Sequence, residues 1–122
     1  MDKPARFENS QPILRVEDMD RSVRFYVDQL GFQSAQWGTA EFNSVARDTA
    51  SIFLCRQDQG RGAAWVWLGV DDVETLHREF QSRNVPILLP PTDYSWAREM
   101  RVADPDGNVL RFGSEPRESK IS

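Results

Sequence analysis

The segment Ala63-Ala64-Trp65-Val66-Trp67-Leu68-Gly69-Val70-Asp71-Asp72-Val73 determines how the rest of the chain is interpreted. It predicts a strand, a sharp acidic corner and the start of a helix. Side chains two positions apart on a strand project from the same face, so Trp65 and Trp67 share one face. Val66 and Leu68 share the other. The aliphatic pair can enter a core, and the two indoles can form the floor of a pocket.

Composition limits the classes of function. The chain has 122 residues, which suits one domain, and its formal net charge is −4 with a pI near 5.0. This acidic balance argues against nucleic-acid binding, which needs a basic face, and mildly favours a neutral or cationic ligand. No run approaches the ~20 apolar residues that span a membrane. The single cysteine, Cys55, has no disulfide partner, which favours a reducing, cytoplasmic setting.

The first half of the chain predicts a strand, a helix and three more strands. Residues 11–16 form a short apolar run, and Pro12 suits the start or the edge of a strand. Asp18 can cap the following helix, which extends to Leu30, and Gly31 can end it with a positive φ. Strands are then predicted at residues 32–37, 42–47 and 51–57.

The second half repeats this order after a polar loop. The strand that carries the tryptophans precedes a predicted helix at residues 73–83, for which Asp72 is the expected cap and Asn84 the end. Residues 85–89 are strand-like, and the segment Pro90-Pro91-Thr92-Asp93 is expected to break the chain. Two further strands, at residues 98–103 and 109–113, flank the turn Asp104-Pro105-Asp106-Gly107-Asn108.

An internal repeat supports this division. Val16-Glu17-Asp18-Met19 parallels Val70-Asp71-Asp72-Val73 at an offset of 54 residues. Two βαβββ modules explain the whole length, which predicts an α+β fold with helices on one face of the sheet. We expect one compact domain at residues 11–113, composed of modules at 11–57 and 58–113, with an N-terminal extension at 1–10 and a polar tail at 114–122.

These features resemble the vicinal oxygen chelate superfamily, which includes glyoxalase I, extradiol dioxygenases, fosfomycin-inactivating enzymes and bleomycin resistance proteins. The turn before the final strand is typical of the superfamily, whereas the Trp-Val-Trp strand and the Trp-x-Arg-Glu segment most resemble the bleomycin resistance proteins. The resemblance lies in Pro12 to Val16, Phe25 to Phe32, Phe42 to Asp48 with Phe53, Ala64 to Trp67, Trp96 to Glu99, and Asp104 to Phe112.

The resemblance implies a curled, cup-like mixed sheet built from both modules, with the helices on its outer face. Enzymes of the superfamily hold a divalent metal in this cup, and their three ligand positions correspond here to Gln11, Trp65 and Arg111. A glutamine oxygen can ligate a metal, but indole offers no lone pair and a guanidinium repels cations. We therefore expect neither a metal site nor a cofactor, and no catalytic residues.

Strand alternation and the resemblance together place side chains of both modules in the cup. Phe42, Ser44 and Ala46 are expected there with Ser51, Phe53 and Cys55, and Trp37 and Trp96 are expected at its rim. Core packing remains an alternative for the Trp65–Trp67 pair, and ordinary packing or a dimer interface for the two phenylalanines. The predicted ligand-binding residues are Trp37, Phe42, Phe53, Cys55, Trp65, Trp67, Trp96 and Arg111.

Arg111 needs a partner in such a cup, because an unpaired buried charge is costly. Glu99 and Glu41 are candidates, and an acidic or sugar oxygen of a ligand is the alternative.

Three functions are compatible with these features. The first is a non-catalytic homodimer that sequesters a flat, aromatic, cationic antibiotic of the bleomycin class, as the resemblance implies, with each groove built from both subunits and an exchange of the first strand around Pro12. The second is a metal-dependent lyase, isomerase or dioxygenase, which would need Gln11 with Glu41 or Glu99 as ligands. The third is a binding module for another metabolite.

Overall fold

A computed structural model describes residues 4–116, and the prediction of a polar tail therefore lies largely outside the described residues. Each half of the described chain has the order strand, helix and three strands, which confirms the tandem βαβββ modules and the α+β class. The first module contains β1 (Ile13–Arg15), α1 (Met19–Arg24), β2 (Gln33–Ser34), β3 (Phe42–Arg47) and β4 (Ala50–Cys55). The second contains β5 (Trp65–Gly69), α2 (Val73–Ser82), β6 (Leu89–Asp93), β7 (Arg98–Ala103) and β8 (Val109–Ser114).

Each module forms its own four-stranded mixed sheet, and neither sheet is closed. The strand orders are β1-β4-β3-β2 and β5-β8-β7-β6. In both sheets the first strand of the module runs parallel to the last, and the remaining pairs are antiparallel. The tryptophan strand β5 therefore lies at an edge, beside β8.

The helices begin where their acidic caps predict. Asp18 accepts a hydrogen bond from the backbone N–H of Arg21, and Asp72 accepts from the first turn of α2. The first helix ends differently from the prediction, because α1 continues as a π-helical turn over Phe25–Gln29. Gly31 then leaves the helix with a φ of 80°, as expected of a glycine at this position.

One hydrophobic core serves both modules. Alternating residues of the inner strands point to the side of each sheet that the helices cover. The core includes Leu14, Tyr26, Leu30, Val45, Ile52 and Leu54 of the first module, and Leu68, Phe80, Met100, Val102, Leu110 and Phe112 of the second. The opposite side of each sheet is therefore left for other contacts.

Contacts between the modules tie each final hairpin to the helix region of the other module. The turn between β7 and β8 reaches the first helix, where the hydroxyl of Tyr26 donates a 2.8 Å hydrogen bond to Asp104. In the corresponding place, Arg47 at the end of β3 donates two 2.9 Å hydrogen bonds to Glu79 of α2. These reciprocal contacts hold the two sheets as one unit.

The segment at residues 90–93 corrects the sequence prediction. It was expected to break the chain, but the prolines lie within β6, and the preceding residues 85–88 are outside any strand. Proline lacks an N–H and is tolerated at an edge strand, which β6 is. A register irregularity between Leu89 and Thr92 accommodates both rings.

Two further features concern the ends and the surroundings of the domain. Residues 4–10 have no regular secondary structure and are exposed. Within residues 4–116, no helix is both long and apolar enough to cross a membrane.

Candidate ligand-binding faces

The side of the second sheet that faces away from the core carries Trp65, Trp67, Glu99, Arg101, Arg111 and Gly113, and we name it the second open face. Trp65 is 59 % exposed and Trp67 47 % exposed, whereas Leu68 on the opposite side is buried. Strand alternation correctly predicts this division. Within this chain the two indoles are therefore surface groups and not part of the core.

Each indole is held by an arginine of the same face. The Cζ atom of Arg101 lies 5.3 Å from the ring centroid of Trp65, and that of Arg111 lies 5.2 Å from the ring centroid of Trp67. The register places Arg111 directly between Trp67 and Arg101, on neighbouring strands. Cation–π contacts of this kind restrict the orientation of both rings.

Glu99 binds both arginines and is fully buried. Its carboxylate accepts bonds of 2.6 and 2.9 Å from Nε and Nη2 of Arg111, and a 2.8 Å bond from Nε of Arg101. The hydrogen bonds from Arg111, and then those from Arg101, outweigh burial and lower the pKa of Glu99 to about 2. The same contact raises the pKa of Arg111.

This arrangement identifies the partner of Arg111. Of the two candidates, Glu99 is correct, and Glu41 instead accepts hydrogen bonds from Arg56 and Gln57 of the first module. Because Glu99 is two residues before Arg101, strand alternation alone puts both on one face. The cross-strand neighbour that completes the group depends on the register of β7 and β8, which the sequence did not determine.

Gly113 leaves space for the indole of Trp67 because it has no side chain. A Cβ atom placed on Gly113 would lie 2.1 Å from Cη2 of Trp67, and 2.7 and 2.9 Å from two more atoms of the same ring. The six-membered ring of the Trp67 indole therefore lies directly over the backbone of β8 at Gly113. A glycine inside a strand is the available sequence signal for such a close approach.

Trp96 forms a stacked pair at one side of the second open face. Its ring centroid is 4.7 Å from that of Tyr94, with an angle of 11° between the planes, and Trp96 is 58 % exposed. Tyr94 is close enough to Arg111 to contribute to the raised pKa of the guanidinium. Tyr94, like Glu99, Arg101 and Gly113, is absent from the residues predicted to bind ligand.

The first sheet has its own group of aromatic residues on the side that faces away from the core, and we name this side the first open face. It carries Gln11, Ile13, Arg15, Phe42, Ser44, Ser51 and Phe53. Trp37 stacks on Phe42 at one end of it. The ring centroids of Trp37 and Phe42 are 6.3 Å apart, and those of Phe42 and Phe53 are 5.2 Å apart. A polar row lies beside these rings, because the hydroxyl of Ser51 donates to Oε1 of Gln11 at 3.1 Å.

Cys55 is the most covered of the predicted binding residues. Alternation along β4 places it on the side of Phe53, and the residue is only 2 % exposed. Its role in binding stays a prediction.

Two cavities within residues 4–116 are lined by residues other than those predicted to bind ligand. One, of about 450 Å³, lies between the β3–β4 turn and α2, and the other, of about 510 Å³, lies beside the start of α1. The structure thus brings the predicted residues together as two groups, one on each open face.

The three positions that correspond to metal ligands do not fit a divalent cation. Gln11 is engaged with Ser51, Trp65 offers no lone pair, and Arg111 is a cation bound to Glu99. Among residues 4–116 no group of three or more His, Cys, Asp or Glu side chains has the geometry of a metal site.

The chain is similar to known proteins in sequence and in fold. The family model described as the Glyoxalase/Bleomycin resistance protein/Dioxygenase superfamily matches residues 9–112. None of the curated protein sequences matches the chain significantly.

Solved structures of streptomycete proteins are similar over most of this chain. An antibiotic-binding protein, TnmS3, from Streptomyces sp. CB03234 is 26% identical, with a TM-score of 0.77 over 92% of this chain and 99% of its own. A bleomycin-binding protein from Streptomyces verticillus, complexed with copper(II)-bleomycin, is 27% identical, with a TM-score of 0.70 over 91% and 98% of the two chains. A glyoxalase/bleomycin resistance protein from Streptomyces sp. CB03234 is 28% identical, with a TM-score of 0.69 over 86% and 100%. The chain belongs to the glyoxalase/bleomycin resistance protein/dioxygenase superfamily.

Proposed function

We propose that this protein is a non-catalytic binding protein that sequesters an antibiotic of the bleomycin class, or a similar flat aromatic compound, and so confers resistance. The observation that carries this proposal is the exposed indole pair of β5, whose two rings are fixed from within the sheet by Arg101 and Arg111. Two of the similar structures are of proteins that bind antibiotics, one of them bleomycin, which supports the same function.

The geometry favours stacking as the mode of recognition. Aromatic pairs contribute about 0.5–1.5 kcal/mol beyond the area that they bury. Because Glu99 orders both arginines and Gly113 accommodates Trp67, little conformational freedom of these rings remains to be lost on binding.

The aromatic groups on the two open faces favour a homodimer. A groove that uses both groups would be formed by the first open face of one chain and the second open face of another. An exchange of the first strand around Pro12 between subunits belongs to the proposal, because the resemblance to the bleomycin resistance proteins implies it and this strand has only three residues. We place this function in the cytoplasm.

Fluorescence titration tests the proposal. We expect phleomycin or bleomycin to quench tryptophan emission at micromolar concentrations, and the W65A and W67A variants to lose affinity by about tenfold or more. The matched control is F7A, which removes an aromatic ring that is 98 % exposed and therefore packs against neither face. Absence of quenching by either drug above tens of micromolar would contradict the proposal.

A metal assay separates this function from enzymatic alternatives of the superfamily. A divalent ion held tightly at one per chain, in protein purified without chelator, would favour a metal-dependent lyase, isomerase or dioxygenase instead.

A further inference from the structure

The charge of the open faces differs in sign from that of the whole chain. The formal net charge of the chain is −4, but the ionisable strand side chains on the two open faces are Arg15, Arg101, Arg111 and Glu99. Other acidic residues are engaged elsewhere: Asp72 caps α2, Glu79 binds Arg47, and Asp106 binds the first helix. A ligand on either open face therefore meets more positive than negative charge.

Glu99 neutralises only one of the two arginines beside the indoles. It is buried and its two oxygens already accept three hydrogen bonds, so it offers nothing to a cation from outside. Arg111 uses Nε and Nη2 on this carboxylate, whereas Arg101 uses only Nε. In the part of the chain at residues 4–116, both terminal nitrogens of Arg101 lack a hydrogen-bond partner, and its side chain is 26 % exposed.

The arginines also change which chemical groups the two indoles bind well. A cation that lies over one side of an aromatic ring polarises the π electrons towards itself, which weakens the attraction of the other side for a second cation. Trp65 and Trp67 each already have a guanidinium about 5 Å from the ring centre. Their exposed sides are therefore poor surfaces for a cationic group and suitable ones for a neutral or anionic aromatic ring.

We propose that the second open face selects planar aromatic ligands that present a hydrogen-bond acceptor, such as a carboxylate or a ring carbonyl, and discriminates against cationic ligands, with Arg101 as the residue that binds the acceptor. A guanidinium with two free terminal nitrogens pairs with a carboxylate through two parallel hydrogen bonds. This inference rests on the proposed binding function and specifies the chemistry of its ligand. Within that function it favours a similar flat aromatic compound without a cationic group over a cationic drug of the bleomycin class, whereas the net charge of the chain mildly favours a neutral or cationic ligand.

Three probes with the same ring and different charge test the inference. Anthracene-9-carboxylate, 9-anthracenemethanol and 9-(aminomethyl)anthracene are titrated against the whole protein while tryptophan emission is followed. We expect the carboxylate to bind about tenfold more tightly than the ammonium, and this ratio to fall as salt is added. R101Q should remove most of the difference while Glu99 keeps its two bonds from Arg111.

R24Q is the matched control, because it removes the same charge from an exposed position on α1 and should keep the preference for the carboxylate. If the ammonium binds as tightly as the carboxylate, or R101Q keeps the full preference, the inference is wrong while the binding function stands. If none of the probes binds and phleomycin and bleomycin also fail, the binding function itself is wrong.

Discussion

The absence of a side chain at Gly113 allows the indole of Trp67 to lie against β8. We predict that G113A moves the indole, because a methyl group would lie 2.1 Å from Cη2 of the ring. The expected result is a loss of about 1–3 kcal/mol in the free energy of unfolding, together with a shift of tryptophan emission and weaker quenching by phleomycin. Urea unfolding and fluorescence titration measure the two effects.

Gly69 provides the control for that variant. It lies on the neighbouring strand, and a Cβ atom there would be 3.7 Å from the indole nitrogen of Trp67, which is ordinary van der Waals contact. G69A should therefore change both quantities much less than G113A. Equal effects of the two variants would show that the close approach at Gly113 is unimportant.

Glu99 gives the stability of the protein a defined dependence on pH. Its pKa is about 2 in the folded chain, against an ordinary value of 4.5, so its contribution is present above about pH 4.5 and is lost as the pH falls towards 2. Such a difference in pKa corresponds to a contribution of about 3 kcal/mol to the free energy of unfolding.

Unfolding of the wild type and of E99Q across this range measures the contribution. Other carboxyl groups with lowered pKa values, such as Glu79, also make the wild type acid-sensitive. The informative quantity is the difference between the two proteins, which should shrink as the pH falls from about 4.5 towards 2. A difference that is independent of pH would contradict the assignment.

At the scale of secondary-structure elements, the β7–β8 hairpin is bound to the first helix region by a buried hydrogen bond. The hydroxyl of Tyr26 donates to Asp104, which also accepts hydrogen bonds from Asn108. We predict that Y26F costs about 1–2 kcal/mol of stability, because a buried carboxylate loses one donor and keeps others. Y94F, whose hydroxyl makes no hydrogen bond within residues 4–116, should be close to neutral, and a similar loss in both would contradict the prediction.

The strands and helices show where sequence patterns are sufficient. Alternation in β5 and the acidic caps before both helices depend on adjacent residues, and these features are predicted correctly. The prolines of β6 were misleading because their tolerance depends on the edge position in the sheet. The pairing of Glu99 with Arg111 likewise depends on cross-strand register, and the choice between Glu99 and Glu41 could not be made from local sequence.

At the scale of the whole molecule, the aromatic groups are divided between two sheets, so we predict that the protein is a dimer in solution. Light scattering should give a mass of twice 14.0 kDa at micromolar concentrations. A mass of one chain throughout this range would contradict the shared groove, although Trp65 and Trp67 would remain exposed together on one face.

The sequence predicted the modules and the exposed indoles, but not the division of the aromatic residues between two faces. Alternation states which side of a strand a residue occupies, and it does not state how two sheets are placed relative to each other. The net charge does not describe the charge of these faces for a similar reason, because it also sums acidic caps and ion pairs such as Asp72 and Glu79, which lie on α2.

The two prolines of β6 also determine how the second sheet can associate with other chains. A strand added beside β6 would find no backbone donor at Pro90 or Pro91, so this border of the sheet is protected against edge-to-edge aggregation. The other border is β5, which carries Trp65 and Trp67. A strand that extended this sheet at β5 would therefore lie next to the indoles, where a bound ligand would also lie.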